Sequence, residues 1–296
     1  MKRAAWLVSL VLLCGQALAR EQNCAPHFVD GAAPRLLEPR WEERAALLCF
    51  EAFAVLHSGQ TRTALWSAEY LSAERLQQAR AIRRIDAYHA EDRLPRAQRA
   101  ELEDYQRSGF DRGHLTPSAD MPTRQAQEES FSLANIVPQD RNNNQNLWAS
   151  IEERVRGLTR QRGELYIITG PLFEDETIER INRRVRVPSH LYKAVYDPAR
   201  REGGAYIAPN RAGDAYEIVS LAELERRSGI RLFPTLSDAV KEKPPQLPPP
   251  RKSRQRDTPR EPIEPREPRE PREPKDEDAL RSVATRLREL LREVLQ

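Results

Sequence analysis

Cysteine and histidine are scarce in this chain, and the shortage limits what it can be. Five histidines and three cysteines are spread over 296 residues. His27, His57, His89 and His190 have no zinc-ligand spacing with Cys24 or Cys49. Cys14 has no small residue directly before it, which argues against a lipid anchor. Net charge is nearly absent as well. The formal value is +3, and loss of Lys2 and Arg3 with a leader would leave 3 − 2 = +1. Bulk charge therefore does not announce a nucleic-acid binder, and any site for a polyanion must be built from local arginines. The single pronounced apolar run, "AAWLVSLVLLCGQALA" at 4–19, is too short to span a bilayer comfortably.

That run follows Met1-Lys2-Arg3 and ends on the small-x-small site Ala17-Leu18-Ala19, so residues 1–19 read as a secretory signal peptide. The expected location is exported, in the periplasm or secreted; an uncleaved anchor is the competing reading. Cleavage would leave Cys24 and Cys49, which in an oxidising compartment suit one disulfide contributing roughly 3 kcal/mol. Two free thiols are the alternative.

Residues 20–242 have globular composition and suit one sizeable domain. "LYIITGPLF" (165–173) reads as a buried strand stopped by Gly-Pro, and "VRVPSHLYKAVYD" (185–197) is mostly strand-like. "GAYIAPN" and "TALWSAEYLS" are further strand candidates, with Tyr166 and Tyr192 as core or strand residues. "NLWASIEERVRGLTRQ" has helical spacing, placing Trp148, Ile151, Val155 and Leu158 on one stripe. The mixture predicts an α+β domain with a mainly antiparallel sheet core. Residues 243–275 are dense in Pro, Arg and Glu and read as a disordered, polyproline-like linker reaching on the order of 100 Å. Residues 276–296 carry Leu280, Val283, Leu287, Leu290 and Val294 at helical spacing. This amphipathic helix is expected to form a homo-oligomer or bind a protein partner, because a helix so short is marginal alone.

"SGFDRGHLTPSADM" (108–121) sets an aspartate, an arginine and a histidine within four positions. Alone, Asp111–His114 reads as a hydrogen-bonded turn. The five asparagines between 135 and 146 read as turns and caps, and Glu152 with Arg156 as an ordinary i, i+4 helix pair. Together they meet another need. Phosphodiester hydrolysis requires a base for water, a cation on the non-bridging oxygens and help for the leaving oxygen. His114 can be the base, Arg112 offers a fork-shaped cation, and an asparagine carbonyl is a hard ligand suited to Mg²⁺.

"DRGHLTPSADM", "SFSLANIVPQ", "NNNQNLWASIEERVR" and "ELYIITGP", in that order, resemble the DNA/RNA non-specific endonuclease family, the ββα-metal-finger nucleases of the Serratia type. The likeness runs from about Cys49 to Phe233 and implies a ββα-metal finger within the domain. It implies Mg²⁺, with Mn²⁺ as a substitute, and DNA and RNA as substrates cut to 5′-phosphate and 3′-hydroxyl ends. By this resemblance His114 is the general base, Asn144 the direct metal ligand, and Glu152 the carboxylate that orients water around the metal. Arg156 and Arg112 contact phosphate, and Asn135 buttresses the histidine region. The family's further arginine falls on Arg84, with Arg83 as competitor, because Tyr88 and Glu91 stand where phenylalanine and aspartate are common. A catalytically idle nucleic-acid-binding or cell-envelope scaffold protein on the same fold is the alternative.

Overall fold

The computed structural model describes residues 24–251. The expected signal peptide and terminal helix, and most of the expected linker, lie outside them.

Among the described residues, nine strands of three or more residues order the fold. They are β1 (Ala45–Cys49), β2 (Phe53–Ser58), β3 (Thr63–Ser72), β4 (Asp111–His114), β5 (Ile136–Gln139), β6 (Glu164–Leu172), β7 (His190–Asp197), β8 (Glu202–Pro209) and β9 (Glu217–Val219). Seven of them form one sheet in the order β9-β8-β7-β6-β3-β2-β1, with every neighbour antiparallel. The predicted antiparallel α+β core is thus present. Its inner strands are buried along nearly their whole length, because both sheet faces are covered. Ile167, Leu191, Val195 and Tyr206 face one layer, while Ile168, Tyr192, Tyr196 and Ile207 face the other.

The second layer is closed by Phe28, Leu221, Leu224 and Phe233. A Cys24–Cys49 disulfide ties the N-terminal segment to β1, forming the pairing that two cysteines allowed. The first layer is closed by three helices, α1 (Ala73–Arg80), α2 (Arg124–Ser130) and α3 (Ala149–Arg162). Ser72 and Thr123 cap α1 and α2 by accepting from the backbone N–H of Arg75 and Ala126. On α3 the predicted stripe of Trp148, Ile151, Val155 and Leu158 is buried, worth about 2 kcal/mol per side chain.

Two strand readings change in detail. The Gly-Pro step does not stop β6, which runs through Gly170 and Pro171 to Leu172. Gly170 belongs there because a Cβ would sit 2.6 Å from the Tyr192 ring carbon Cζ and 2.7 Å from the Leu65 carbonyl oxygen. The 185–197 run is interrupted around Pro188, giving Val185–Arg186 and then β7.

Residues 243–251, expected to start the linker, lie on the domain. Leu247 packs on the helix-side core, and the Tyr206 hydroxyl donates to the Pro248 carbonyl at 2.6 Å. Proline-rich composition denies this segment a core of its own. It does not stop the segment from lending carbonyls and a leucine to a neighbouring core.

Candidate active site

The site is built on the antiparallel pair β4–β5, with Asp111 opposite Gln139 and His114 opposite Ile136, followed by α3. This strand–strand–helix order is the expected finger. The motif glycine has a steric reason, because a Cβ on Gly113 would meet the Gln139 Cβ at 2.6 Å. Asn135 is fully buried directly before β5. Its Oδ1 accepts from the Thr116 N–H and the Ser67 hydroxyl, both at 3.0 Å. Its Nδ2 donates to the Thr116 and Ser130 carbonyls. Asn135 thus pins the chain two residues beyond His114.

The asparagine run separates into distinct jobs. Asn143 is buried, donating to the Pro209 carbonyl at 3.0 Å and accepting from Gln139 at 2.8 Å. Asn142 accepts from the Gly213 N–H, and Asn146 donates to the Asn142 carbonyl. Asn144 alone of these lines the cavity described next. It opens a wide π-helical turn, Asn144–Trp148, that leads into α3. In a uniform α-helix, residues eight apart are about 80° out of line. The wider turn takes up that lag and lets Asn144 and Glu152 face one cavity.

That cavity encloses about 680 Å³, and His114, Arg112, Asn144, Glu152 and Arg84 all line it. Arg83 does not, so the geometry favours Arg84. The His114 ring packs against Tyr88 and, edge-on, Phe131 (centroids 5.6 and 4.9 Å). Burial, then the positive charges of Arg84 and Arg112, hold its pKa down to about 3, so the imidazole is neutral at physiological pH. Its Nε2 is buried without a hydrogen-bond partner, whereas the ring as a whole lines the cavity wall. Arg112 is exposed, with its guanidinium 4.1 Å over the Tyr88 ring. Arg84 pairs with Asp86 at 2.7 Å and lies over Phe131.

Asn144 donates its Nδ2 to Asp111 at 3.2 Å. Asp111 also accepts from Arg141 and Gln145. Burial pushes the Asp111 carboxyl up, but these donors outweigh it and leave the pKa below the usual range. With the amide nitrogen committed to Asp111, the Asn144 Oδ1 is the atom left for a hard cation. No group of three or more His, Cys, Asp or Glu side chains suited to a metal occurs among the described residues. The donor chemistry thus fits an oxygen-seeking ion that keeps most of its waters. Burial raises the Glu152 pKa, partly countered by Lys193 and Arg156.

Arg156 is placed differently from the other charged residues expected at the site. It does not line this cavity but a neighbouring hollow. Its guanidinium pairs with Asp120 and Glu153, both at 3.1 Å, and lies 3.9 Å from Glu152. The sequence reading gave no role to Asp111, Asp120 or Lys193. Lys193 is buried on β7 and donates to the Thr169 hydroxyl at 2.6 Å and the Leu115 carbonyl at 3.3 Å, with the Trp148 ring 5.6 Å away. The available signal was a lysine inside an otherwise apolar strand. Glu91, matched to a family acid, is bound to Arg93 and Ser132 instead of facing the cavity.

The DNA/RNA non-specific endonuclease family model matches residues 40–239. Nuclease C1 of Cunninghamella echinulata is 32% identical over 63% of this chain and 82% of its own length. Human mitochondrial Endonuclease G is 33% identical over 65% and 71%. The mitochondrial nuclease EXOG of Danio rerio is 35% identical over 62% of this chain, which spans 59% of that relative. Among solved structures, a complex of EndoG with EndoGI, described as revealing the mechanism of EndoG inhibition, superposes with a TM-score of 0.56 at 25% identity. It covers 64% of this chain and 86% of its own. Several of these relatives are mitochondrial nucleases, and this overturns the expectation of an exported, periplasmic or secreted protein. A short basic and apolar stretch acts as an address only through the receptor that reads it, so composition alone does not fix a compartment. With its family match across most of the described residues, this chain belongs to the DNA/RNA non-specific endonuclease family and is a nuclease.

Proposed function

We propose that the chain is a Mg²⁺-dependent endonuclease that cuts DNA and RNA with little sequence preference, with Mn²⁺ as a substitute ion. The supporting observation is the convergence of neutral His114, the Asn144 amide, Glu152, Arg112 and Arg84 on one cavity. When bound, Mg²⁺ supplies positive charge to the non-bridging and leaving oxygens of the phosphate, and Asn144 Oδ1 is the protein atom that would hold it. His114 takes a proton from the attacking water with its neutral imidazole. The new O–P bond forms as the bond to the 3′ oxygen breaks, and that oxygen takes a proton from a second water, giving 5′-phosphate and 3′-hydroxyl ends. Glu152 orients water at the site and is itself held by Arg156. Arg112 and Arg84 bind the phosphate. Residues up to Arg251 form the catalytic unit, and protein association through the terminal helix remains a separate proposal.

The test is digestion of supercoiled plasmid and of single-stranded RNA with Mg²⁺, with and without EDTA. His114→Ala is expected to fold normally and lose about 10²-fold or more in rate. Near-parental turnover by that variant at saturating Mg²⁺ would remove His114 from the mechanism.

A further inference from the structure

The helix carrying Glu152 has a second polar stripe. Gln145, Ala149 and Glu152 face the catalytic cavity. Asn146, Ser150, Arg154, Gly157 and Gln161, again near i, i+4 spacing, face a groove of about 570 Å³ on the next side of the helix. Gln145 and Ala149 line both hollows, so groove and cavity are continuous. From Gln145 to Gln161 the helical rise is roughly 24 Å, room for several phosphates of an extended strand.

The outer wall of the groove comes from beyond the last strand, at Pro248 and Arg251. It is fixed in place by the Tyr206–Pro248 hydrogen bond, and the Arg251 N–H donates to the Ser150 hydroxyl at 2.7 Å. The charge is one-sided. Arg154, Arg160 and Arg251 oppose Glu153, which is already bound to Arg156 and Arg160. Arg154 and Arg251 make no ion pair among the described residues, and the Arg154 Nε is buried without a partner. Gly157 lies inside the helix at a cost of about 1 kcal/mol relative to alanine. Nothing approaches within 4 Å of where its Cβ would stand, so packing does not require it. It leaves the groove floor bare.

Resting on the nuclease reading above, we infer that the polynucleotide leaves the cavity along this groove with its phosphates against Arg154 and Arg251. The segment after the last strand is then part of the substrate-binding surface. Unpaired guanidinium forks match phosphate in charge and shape.

The full chain and its Arg154→Gln/Arg251→Gln variant are compared on a long single-stranded DNA and on a trinucleotide. With the long strand, KM should rise about tenfold at unchanged kcat, and the slope of log kcat/KM against log salt should fall by about 1.4, or 0.7 per lost contact. The trinucleotide, too short to reach the groove, should be cut equally by both. Unchanged KM and salt slope on the long strand, with the trinucleotide still cleaved, overturn the groove and leave the nuclease reading intact. Arg80 lines the hollow that holds Arg156, so a KM increase for Arg80→Gln but not for the double variant places the strand in that hollow and also overturns the groove. A parent chain that cuts neither substrate removes both readings.

Discussion

Asn143 and Asn144 are adjacent, carry the same amide and have opposite surroundings. Asn143 is buried, with both amide atoms bonded to the fold, whereas Asn144 is half-exposed at the cavity wall. Asn143→Ala should cost about 1–3 kcal/mol of stability by stranding buried partners. Asn144→Ala should leave the melting temperature nearly unchanged while abolishing the Mg²⁺ response of the activity. Thermal melts and Mg²⁺ titrations of both variants decide it, and a crippled Asn143→Ala beside an active, Mg²⁺-responsive Asn144→Ala would move the ligand. At this scale the sequence was informative where a motif fixed the spacing, as for His114 and Asn135. It was not for Arg156, whose i, i+4 spacing to Glu152 is there while its strongest partner, Asp120, is brought in from a distant loop. A charge's function depends on what neutralises it, and Asp120 is near Arg156 only in the folded chain.

Lys193 joins two elements that the sequence reading kept apart. It lies on β7, contacts the residue after His114, and places a positive charge where it lowers the pKa of Glu152 on α3. Lys193→Met removes that charge, so the Glu152 carboxyl titrates at higher pH. Its ionised form is then lost sooner on acidification, and the acid limb of the kcat/KM profile should move upward. A limb superposable on the parent's, in a variant with a parental melting temperature, sinks this role. The extents of β3 and α3 were legible, β3 as an apolar run buried almost throughout and α3 from its apolar stripe at helical spacing. The π-helical turn before α3 was not, since its residues look like any polar cap until the phase of the helix behind them is known.

At the scale of the whole molecule, three buried histidines tie stability to pH. Burial lowers His27 and His57 from an ordinary 6.5 to about 4, and His114 to about 3. Between those values the unfolded chain takes up protons that the folded chain refuses. Stability is therefore fully present above about pH 6.5 and is lost as pH falls toward 4, by up to about 1.4 kcal/mol per pH unit per histidine. Urea unfolding between pH 7.5 and 4.5 should show the slope, and His57→Leu should remove about a third of it; a stability flat across the range rejects the account. Composition located the globular part of the chain but placed its end too early. Proline content reports what a segment cannot build alone, and residues 243–251 are held by surface they did not create.

The sheet order has a consequence for how the protein is made. The strands β1 to β3 gain their partner β6, across pairs such as Ser67 with Thr169, after the finger and the catalytic helix have been translated. His114, Asn144 and Glu152 therefore emerge from the ribosome before the strand that completes the platform beneath them. Lys193 and the groove wall at Arg251 follow later still. A nascent chain halted before β6 carries every cavity residue named above yet lacks their scaffold. A nuclease whose chain is still being made thus holds its cavity residues without the sheet that positions them.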